Sequence, residues 1–291
     1  MTTYERLREQ LNTTVTFLPD KPEENVDNTL RALWLAAAGT PVSAQRAEGR
    51  DLPELDAAQL QTLQTFIAKR SAGMPLAHLT GRQQFLDLEM LAGPDALVPR
   101  KETELLASAA IALGRDIAAT TVIDVCTGSG NVALAIGSHL PEARVAAADL
   151  SEAAVELARR NAEHLGLGER VQFSAGDLLA PFDDARFLGC TDLLTCNPPY
   201  IATSHVAKMP SEISAHEPRL AFDGGALGIG ILMRLIQQAP RFLRAGGWLA
   251  FEVGLGQGPA IVKRLHATPA YKEVRTSSDD AGAVRVVMAR C

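Results

Sequence analysis

From residue 4 to about residue 70, hydrophobic positions recur at the spacing of an amphipathic helix. Leu30, Leu33, Trp34 and Ala37 share one face of such a helix, and a second series surrounds Ile67. The polar positions between them face the opposite side. We therefore predict a small, all-helical unit at the N-terminus.

Residues that start and stop helices divide this region. Asp27 and Asp56 are suited to be N-caps, and Gly39 followed by Pro41 predicts the end of a helix. Between 73 and 94, glycines and prolines separate short apolar stretches, which predicts a hairpin or an extended linker. We expect a helical domain over 1–80, a hairpin or linker over 81–100 and a second domain over 101–291.

After Pro99, short β-rich runs alternate with helical ones. The β-rich runs are Thr121–Val125, Arg144–Ala148, Arg170–Ser174 and Asp192–Thr195. Helices are expected at about 102–113 and 152–165, and this alternation predicts a parallel, doubly wound α/β sheet. A long helix from Gly225, interrupted near Pro240, precedes a run at 247–253. The last two runs predict a closing hairpin that adds one antiparallel strand.

Composition narrows the function classes. The chain has 291 residues, 47% of them hydrophobic, and a net charge of -6, which argues against a protein that binds the nucleic-acid backbone.

Its four cysteines form no C-x-x-C pair and lie at no zinc-ligand spacing, so we expect no metal site and a reducing, cytoplasmic location. No signal peptide or membrane-spanning run is apparent. Lys69, Arg70 and Arg82 form a basic cluster that we expect to be solvated.

A glycine turn between the first strand of the second domain and the next helix is the first candidate site. Gly128 and Gly130 permit close approach of a ligand, and Asp149 ends the next strand, where a carboxylate can accept ribose hydroxyls. This pattern also fits the relaxed dinucleotide fingerprint, so a nicotinamide oxidoreductase stays open. Asp124 could bind an aminoacyl amine, and Asp177 could bind an adenine amino group. Together with Asp149, these two residues favour S-adenosylmethionine over a nicotinamide cofactor.

We expect the cofactor to contact residues of the glycine turn, of the following strand ends and of the segment after the fourth strand run: Asp124, Cys126, Thr127, Gly128, Ser129, Gly130, Asp149, Leu150, Asp177, Leu178 and Asn197.

The fourth strand run ends in Asn197-Pro198-Pro199-Tyr200. The two prolines fix the backbone, so the Asn197 side chain and the Pro198 carbonyl are held as two acceptors for the hydrogens of an NH2 group. Such acceptors suit methylation of an amide or exocyclic amine, whose planar group Tyr200 can stack on. We predict Asn197, Pro198 and Tyr200 as catalytic residues.

Several motifs resemble the HemK/PrmC family of protein-(glutamine-N5) methyltransferases over most of the chain. They are Ala72–Gly81, Val98–Glu104, Asp124–Gly130, Asn197–Tyr200 and Glu217–Gly225. The resemblance implies a Rossmann-like class I S-adenosylmethionine-dependent methyltransferase sheet behind an N-terminal helical domain that grips a protein substrate. It implies S-adenosylmethionine as donor, S-adenosylhomocysteine as product and, as acceptor, the G-G-Q glutamine of class I peptide chain release factors. Substrate-binding residues are then expected at Asn197, Pro198, Pro199, Tyr200, Arg100 and Glu102.

Two positions depart from the family pattern. Lys101 replaces the second proline of P-R-P-x-T-E, and Cys126 replaces the first glycine of the cofactor loop. Other acceptors therefore stay open, namely a small amide or guanidine metabolite and adenine N6 in nucleic acid. A noncatalytic S-adenosylmethionine-binding partner of the translation machinery is the alternative from a different class.

Overall fold

The computed structural model describes residues 2–18 and 21–291. Its contacts divide the chain into two compact units. The first contains residues up to Pro94 together with Val98–Lys101 and Met209–Glu217, and the second contains Asp95–Leu97, Glu102–Lys208 and Pro218–Cys291. Most of the predicted 81–100 linker thus groups with the helical unit, and so does a short stretch from within the range 101–291. The division of the chain into domains over 1–80, 81–100 and 101–291 stays a prediction.

Within the described residues the helices and strands follow in this order along the chain. The helices are α1 (Thr3–Thr14), α2 (Val26–Ala37), α3 (Ala44–Ala47), α4 (Ala57–Ser71), α5 (Leu76–Thr80), α6 (Thr103–Asp116), α7 (Asn131–His139), α8 (Glu152–His164), α9 (Thr203–Val206), α10 (Ser211–Ser214), α11 (Gly230–Gln238) and α12 (Gly258–His266). The strands are β1 (Arg82–Phe85), β2 (Leu88–Leu91), β3 (Thr121–Val125), β4 (Arg144–Asp149), β5 (Val171–Ala175), β6 (Thr191–Cys196), β7 (Leu243–Glu252), β8 (Glu273–Ser278) and β9 (Val284–Arg290).

The N-terminal helices are confirmed, with one cap misplaced. Asp56 caps α4, as predicted, and Gly39 takes the left-handed conformation just after the end of α2. The prediction for Asp27 is wrong, because the Asn25 side chain accepts the capping hydrogen bond from Asn28. The Asp27 carboxylate lies in the first turn of α2 and accepts hydrogen bonds from α1 instead.

A buried charge cluster lies in the first unit and corrects the expectation of a solvated basic face at Arg70. Arg70 is 2% exposed, and its guanidinium donates to Glu212 at 2.7 Å and to Glu24 at 3.1 Å. Lys21 adds a second cation, 2.9 Å from Glu212. Two cations and two carboxylates thus compensate one another, whereas neighbouring Lys69 is exposed. This cluster holds 209–217 within the first unit.

The second unit is built on a seven-stranded sheet with strand order β5-β4-β3-β6-β7-β9-β8. All neighbouring pairs from β5 to β7 are parallel, and β9 runs antiparallel to both β7 and β8. The predicted doubly wound sheet, including its single antiparallel strand, is confirmed. The chain winds outward from β3 to β5 and then returns to β6, so the sheet reverses its winding between β3 and β6.

The long helix predicted from Gly225 begins only at Gly230. Gly225 and Gly228 have φ of +85° and +68°, which a right-handed helix excludes. The helix ends at Gln238, and a short 3₁₀ segment containing Pro240 follows it. The residues before Gly230 therefore form an irregular segment, which packs on the acceptor motif described below. No helix of the described part of the chain has the length and apolarity needed to cross a membrane.

Candidate active site

The predicted site residues follow the carboxyl ends of neighbouring strands. Val125 of β3 pairs with Ala148 of β4 on one side and with Cys196 of β6 on the other. The next residues along each strand are therefore brought to the same edge of the sheet, where the winding reverses. Doubly wound sheets bind their ligands in the crevice at this point.

The turn after β3 has the backbone that a close ligand contact requires. Gly128 and Gly130 have φ of +55° and +84°, and a Cβ on Gly128 would meet no atom within 4 Å. A Cβ on Gly130 would lie 3.0 Å from the Phe173 ring, so this glycine also allows close packing of helix on sheet. Cys126 has φ of +56°, a conformation that favours the glycine of the family pattern.

Asp149 is held by the backbone around it. One carboxylate oxygen accepts the N–H of Gly128 at 2.8 Å, and the other accepts the N–H of Ser151 at 2.9 Å. These bonds fix the carboxylate beside the glycine turn and leave further lone pairs for ribose hydroxyls. Burial raises the pKa of Asp149, and the backbone N–H groups oppose this shift.

Asp124 is more deeply placed than the sequence suggested. Its side chain is 1% exposed, and its two oxygens accept the hydroxyls of Thr127 at 2.6 Å and Thr195 at 2.7 Å. Burial raises the pKa of this carboxyl to about 7, although both hydroxyls favour the charged form. A cation brought close to Asp124 would replace the lost solvation.

Asp177 lies on the surface after β5. Its carboxylate forms an ion pair of 2.6 Å with Arg234 of α11, and both side chains are about half exposed. The adjacent Leu178 is buried and has φ of +49°. The contact of these two residues with an adenine base stays a prediction.

Two observations fit a nucleoside at this edge. Ser129 Oγ is buried and has no hydrogen-bond partner among the described residues, so the turn carries an unused polar group. Leu150, directly after Asp149, is 56% exposed, and an apolar side chain of this size suits the face of a base. Together with the carboxylates Asp149 and Asp124, the turn fits the ribose and the cationic amine of S-adenosylmethionine.

Close packing from a second segment immobilises the backbone of the acceptor motif. Cβ atoms on Gly224 and Gly228 would lie 2.5 Å from the Pro199 carbonyl oxygen and 2.3 Å from the Tyr200 carbonyl oxygen. Only glycine permits this approach. The Gln257 side chain donates to the same Tyr200 oxygen at 3.1 Å. The motif is thus rigid on account of both its own prolines and its neighbours.

Two buried side chains that sequence reasoning did not assign to the site lie behind this motif. Asn197 Nδ2 donates to Thr103 Oγ1 at 3.1 Å, and Thr103 donates to Glu252 at 2.8 Å. The Tyr200 hydroxyl donates to the other Glu252 oxygen at 3.0 Å, and Arg285 lies 3.5 Å from that oxygen. The position of Glu252 at the carboxyl end of β7 is the signal that could have found it, since parallel strand ends meet at one edge.

Arg100 and Glu102 occupy different settings. Arg100 is 8% exposed and forms an ion pair of 2.6 Å with Glu217, whose other oxygen accepts the backbone N–H of Val98. These contacts all lie in the first unit. Glu102 precedes α6 in the second unit. The part of both residues in substrate binding stays a prediction.

Solved structures share this fold. The catalytic domain of hMettl16 superposes with a TM-score of 0.55 at 16% identity, covering 77% of this chain and 81% of that one. Human methyltransferase 10 domain containing protein gives a TM-score of 0.50 at 16% identity, covering 70% and 88%. These likenesses show that the second unit has the fold of the class I methyltransferases.

Sequence relatives narrow this class. The PrmC N-terminal domain model matches residues 9–81 and the methyltransferase small domain model matches 101–229. The release factor glutamine methyltransferase of Moorella thermoacetica is 40% identical over 77% of both chains, and that of Geobacter sulfurreducens is 34% identical over 98% of this chain and 96% of its own. The chain belongs to the family of release factor glutamine methyltransferases, and its methyl donor is S-adenosylmethionine.

Proposed function

We propose that the protein methylates the side-chain amide nitrogen (N5) of a glutamine, the one in the G-G-Q tripeptide of class I peptide chain release factors. The names of its relatives support this acceptor. The structural observation that supports it most directly is the rigid Asn197–Tyr200 segment, which follows β6 where the sheet reverses its winding. The net charge of -6 disfavours adenine in nucleic acid as the acceptor, and we expect no direct binding of nucleic acid.

Bound S-adenosylmethionine supplies an electrophilic methyl group on a sulfonium sulfur. The chain's part is to hold this donor through the turn from Cys126 to Gly130, through Asp149 and Leu150 at the nucleoside, and through Asp124 at the amine. The carboxylate of Asp149 is preorganised for this because two backbone N–H groups already fix it. Asp177 and Leu178 are placed at the far end of the same edge, where we assign the adenine.

The acceptor chemistry explains why an asparagine followed by prolines is needed. An amide nitrogen is a poor nucleophile, because its lone pair is delocalised into the carbonyl. The Asn197 side-chain oxygen and the Pro198 carbonyl, held on a fixed backbone, can accept the two N–H hydrogens and favour rehybridisation of the nitrogen as the methyl group arrives. Holding the nitrogen in line with the methyl group contributes further to the rate. Tyr200 covers the planar amide group.

We assign the helical unit to recognition of the protein substrate. It carries an open concavity of about 390 Å³ lined by aromatic and basic residues, among them Tyr4, Trp34, Arg31 and Arg50. Contacts of this kind suit exposed protein side chains, and their binding energy helps to position the reacting amide. All four cysteines are free, and we propose the cytoplasm as the place of action.

The acceptor is tested by offering the purified protein several substrates with a methyl-labelled donor. Label should enter an intact class I release factor and not the same factor with its G-G-Q glutamine replaced by glutamate. Structured RNA and small amides or guanidines serve as the competing acceptors. Label in RNA or in a small molecule, with none in the factor, would overturn the proposed acceptor and leave the methyltransferase class intact.

A second comparison tests the helical unit. Arg50→Glu should raise KM for the intact factor and leave the rate with a short G-G-Q peptide unchanged, because the peptide lacks the parts of the factor that we assign to the concavity. Arg6→Glu, an exposed change of the same charge outside the concavity, is the matched control. Equal effects of both variants would remove the concavity from substrate recognition.

A further inference from the structure

A chain of hydrogen bonds joins three separate segments behind the acceptor motif. It runs from Asn197 at the end of β6 to Thr103 at the start of α6, and from there to Glu252 at the end of β7. Tyr200 closes it by donating to the second oxygen of Glu252. Thr103 and Glu252 are each 1% exposed, so no direct contact with a substrate explains their presence.

The protons in this chain can be counted. The Thr103 hydroxyl has one hydrogen, and a carboxylate has none, so the bond of 2.8 Å requires Thr103 to donate to Glu252. Thr103 Oγ1 then has only lone pairs left and can only accept from Asn197. An asparagine rotated by half a turn would place its oxygen against these lone pairs with no proton between them. The chain therefore selects the orientation in which Nδ2 faces Thr103.

This orientation decides what Asn197 offers to its other side. With Nδ2 occupied at Thr103, the carbonyl oxygen Oδ1 is left for the crevice, where an amide NH2 needs an acceptor. The opposite orientation would point the Nδ2 donor of Asn197 at the NH2 donor of the acceptor. A free asparagine side chain has no strong preference between the two, so the choice has to come from its neighbours.

Burial raises the pKa of the Glu252 carboxyl, and three neighbouring groups oppose this shift by favouring the charged form. Thr103 donates to one oxygen of Glu252, and Tyr200 donates to the other. The Arg285 guanidinium lies 3.5 Å from the oxygen that Tyr200 contacts, and the Arg285 side chain is 9% exposed. Such charge-assisted bonds offset part of the cost of burying a carboxylate. The Tyr200 hydroxyl and the Arg285 cation on one oxygen leave the other oxygen of Glu252 to accept from Thr103, and this contact fixes the direction of the Thr103 hydroxyl.

We propose that Thr103 and Glu252 are positioning residues that set the amide orientation of Asn197 and so present its oxygen to the acceptor nitrogen. The inference rests on the proposed function in one respect, that the acceptor carries an NH2 group. The competing explanation is that the chain only ties α6, β6 and β7 together. A tie of that kind would act on stability and cofactor binding as much as on turnover.

Three substitutions separate these explanations. Thr103→Val removes the hydroxyl at nearly constant volume and should lower kcat about ten- to hundredfold, with S-adenosylhomocysteine affinity within about threefold of wild type. Thr103→Ser keeps the hydroxyl and should stay within about threefold of wild type for kcat. Glu252→Gln keeps the shape but can donate to Thr103, which frees the hydroxyl to point at Asn197 Oδ1 and turns the amide. It should lower kcat as Thr103→Val does.

A double-substitution cycle tests whether Thr103 acts through Asn197. In an Asn197→Ala background, measured by single-turnover methyl transfer, Thr103→Val should cause no further loss. An equal loss in both backgrounds would overturn the proposal and leave a structural tie. Unchanged kcat in Thr103→Val would overturn it directly, and Glu252→Gln gives the same decision if the valine variant does not fold.

A spectroscopic measurement needs no acceptor at all. In nitrogen–proton spectra of protein labelled at asparagine side chains, the Asn197 NH2 signal is assigned by its loss in Asn197→Ala. It should shift strongly in Thr103→Val and Glu252→Gln and little in Thr103→Ser. An unmoved signal in the first two refutes the positioning role. Failure of the wild-type protein to methylate a release factor, with the signal moving as expected, refutes the proposed acceptor alone.

Discussion

Thr195 of β6 lies directly opposite Asp124 of β3 and donates to its carboxylate at 2.7 Å, across the pair of strands where the sheet reverses its winding. Thr127 donates to the other oxygen, Asp124 is 1% exposed, and burial raises the pKa of its carboxyl to about 7. In the free protein a large share of the Asp124 carboxyl is therefore protonated at and below neutral pH. A bound aminoacyl cation would favour the charged form and expel the proton.

Proton release on cofactor binding follows from this arrangement. Between about pH 6 and 7, binding of S-adenosylmethionine should release up to one proton from Asp124, so affinity should rise as pH rises through this range. Calorimetric titration in buffers of different ionisation enthalpy measures the released proton. Asp124→Asn should abolish this part of the release. Release that is the same in wild type and Asp124→Asn would place the amine elsewhere.

The same carboxyl affects the stability of the free protein. Its folded pKa lies above the ordinary value of about 4, so the folded state binds more protons than the unfolded state between about pH 4 and pH 7. The contribution of Asp124 to stability is thus most favourable below this window and declines as pH rises through it. Asp124→Asn should flatten the decline in urea unfolding midpoints measured across the window, and an unaltered slope would contradict the assignment.

Asp149→Ala should weaken cofactor binding and leave the fold intact. The substitution removes the acceptor that fixes the Gly128 N–H and that we assign to the ribose hydroxyls. The expected loss is about 1.5 to 3 kcal/mol, or roughly ten- to hundredfold in affinity by calorimetry. Asp184→Ala, a surface carboxylate paired with Arg186, is the control and should change nothing. Unchanged affinity in Asp149→Ala would remove it from the site.

Asn197→Ala should reduce turnover at least about a hundredfold and change S-adenosylhomocysteine affinity far less, because a preorganised acceptor acts mainly in the transition state. The measurement pairs methyl-transfer rates with calorimetric affinity. Rate and affinity that fall in parallel would indicate a cofactor contact or damage to the fold.

The ion cluster around Arg70 should dominate the stability of the first unit. Arg70→Met leaves Lys21 as the cation paired with Glu24 and Glu212 among the described residues, and breaking a buried pair costs about 3 to 5 kcal/mol. A Trp248→Phe background leaves Trp34 as the single tryptophan, whose fluorescence is excited selectively at a wavelength that tyrosine does not absorb, and Trp34 belongs to the first unit. Lys69→Met, an exposed neighbour, is the control. Equal urea midpoints for both variants would contradict the role of the cluster.

Strand ends and glycine turns could be predicted from the sequence because neighbouring residues in the chain determine them. The run Thr121–Val125 matches β3 to the residue, and the alternation of helices and strands predicted the sheet. The end of β7 could have indicated Glu252, but its contact with Thr103, and that of Thr103 with Asn197, join residues far apart in sequence and could not be predicted. Arg70 shows the same limit, since its partner Glu212 lies 142 positions away and nothing near Arg70 indicates burial.

Departures from the family pattern gain a physical meaning only in the structure. The sequence shows that Cys126 stands where the family has glycine, and the structure adds that its φ is +56°. A left-handed conformation costs a residue with a Cβ about 1 kcal/mol or more relative to glycine. Cys126→Gly should therefore raise the thermal midpoint of the second unit. An unchanged or lowered midpoint would contradict the strain assigned to Cys126.

The claim that the rigid Asn197–Tyr200 segment serves a protein glutamine is tested most directly by locating the methyl group. A class I release factor is incubated with the wild-type protein and S-adenosylmethionine, digested, and mapped by fragmentation mass spectrometry. We predict one added methyl group, on the side chain of the G-G-Q glutamine and on no other residue. A factor that remains unmodified at this glutamine, or a methyl group found on a different residue, would contradict the proposal.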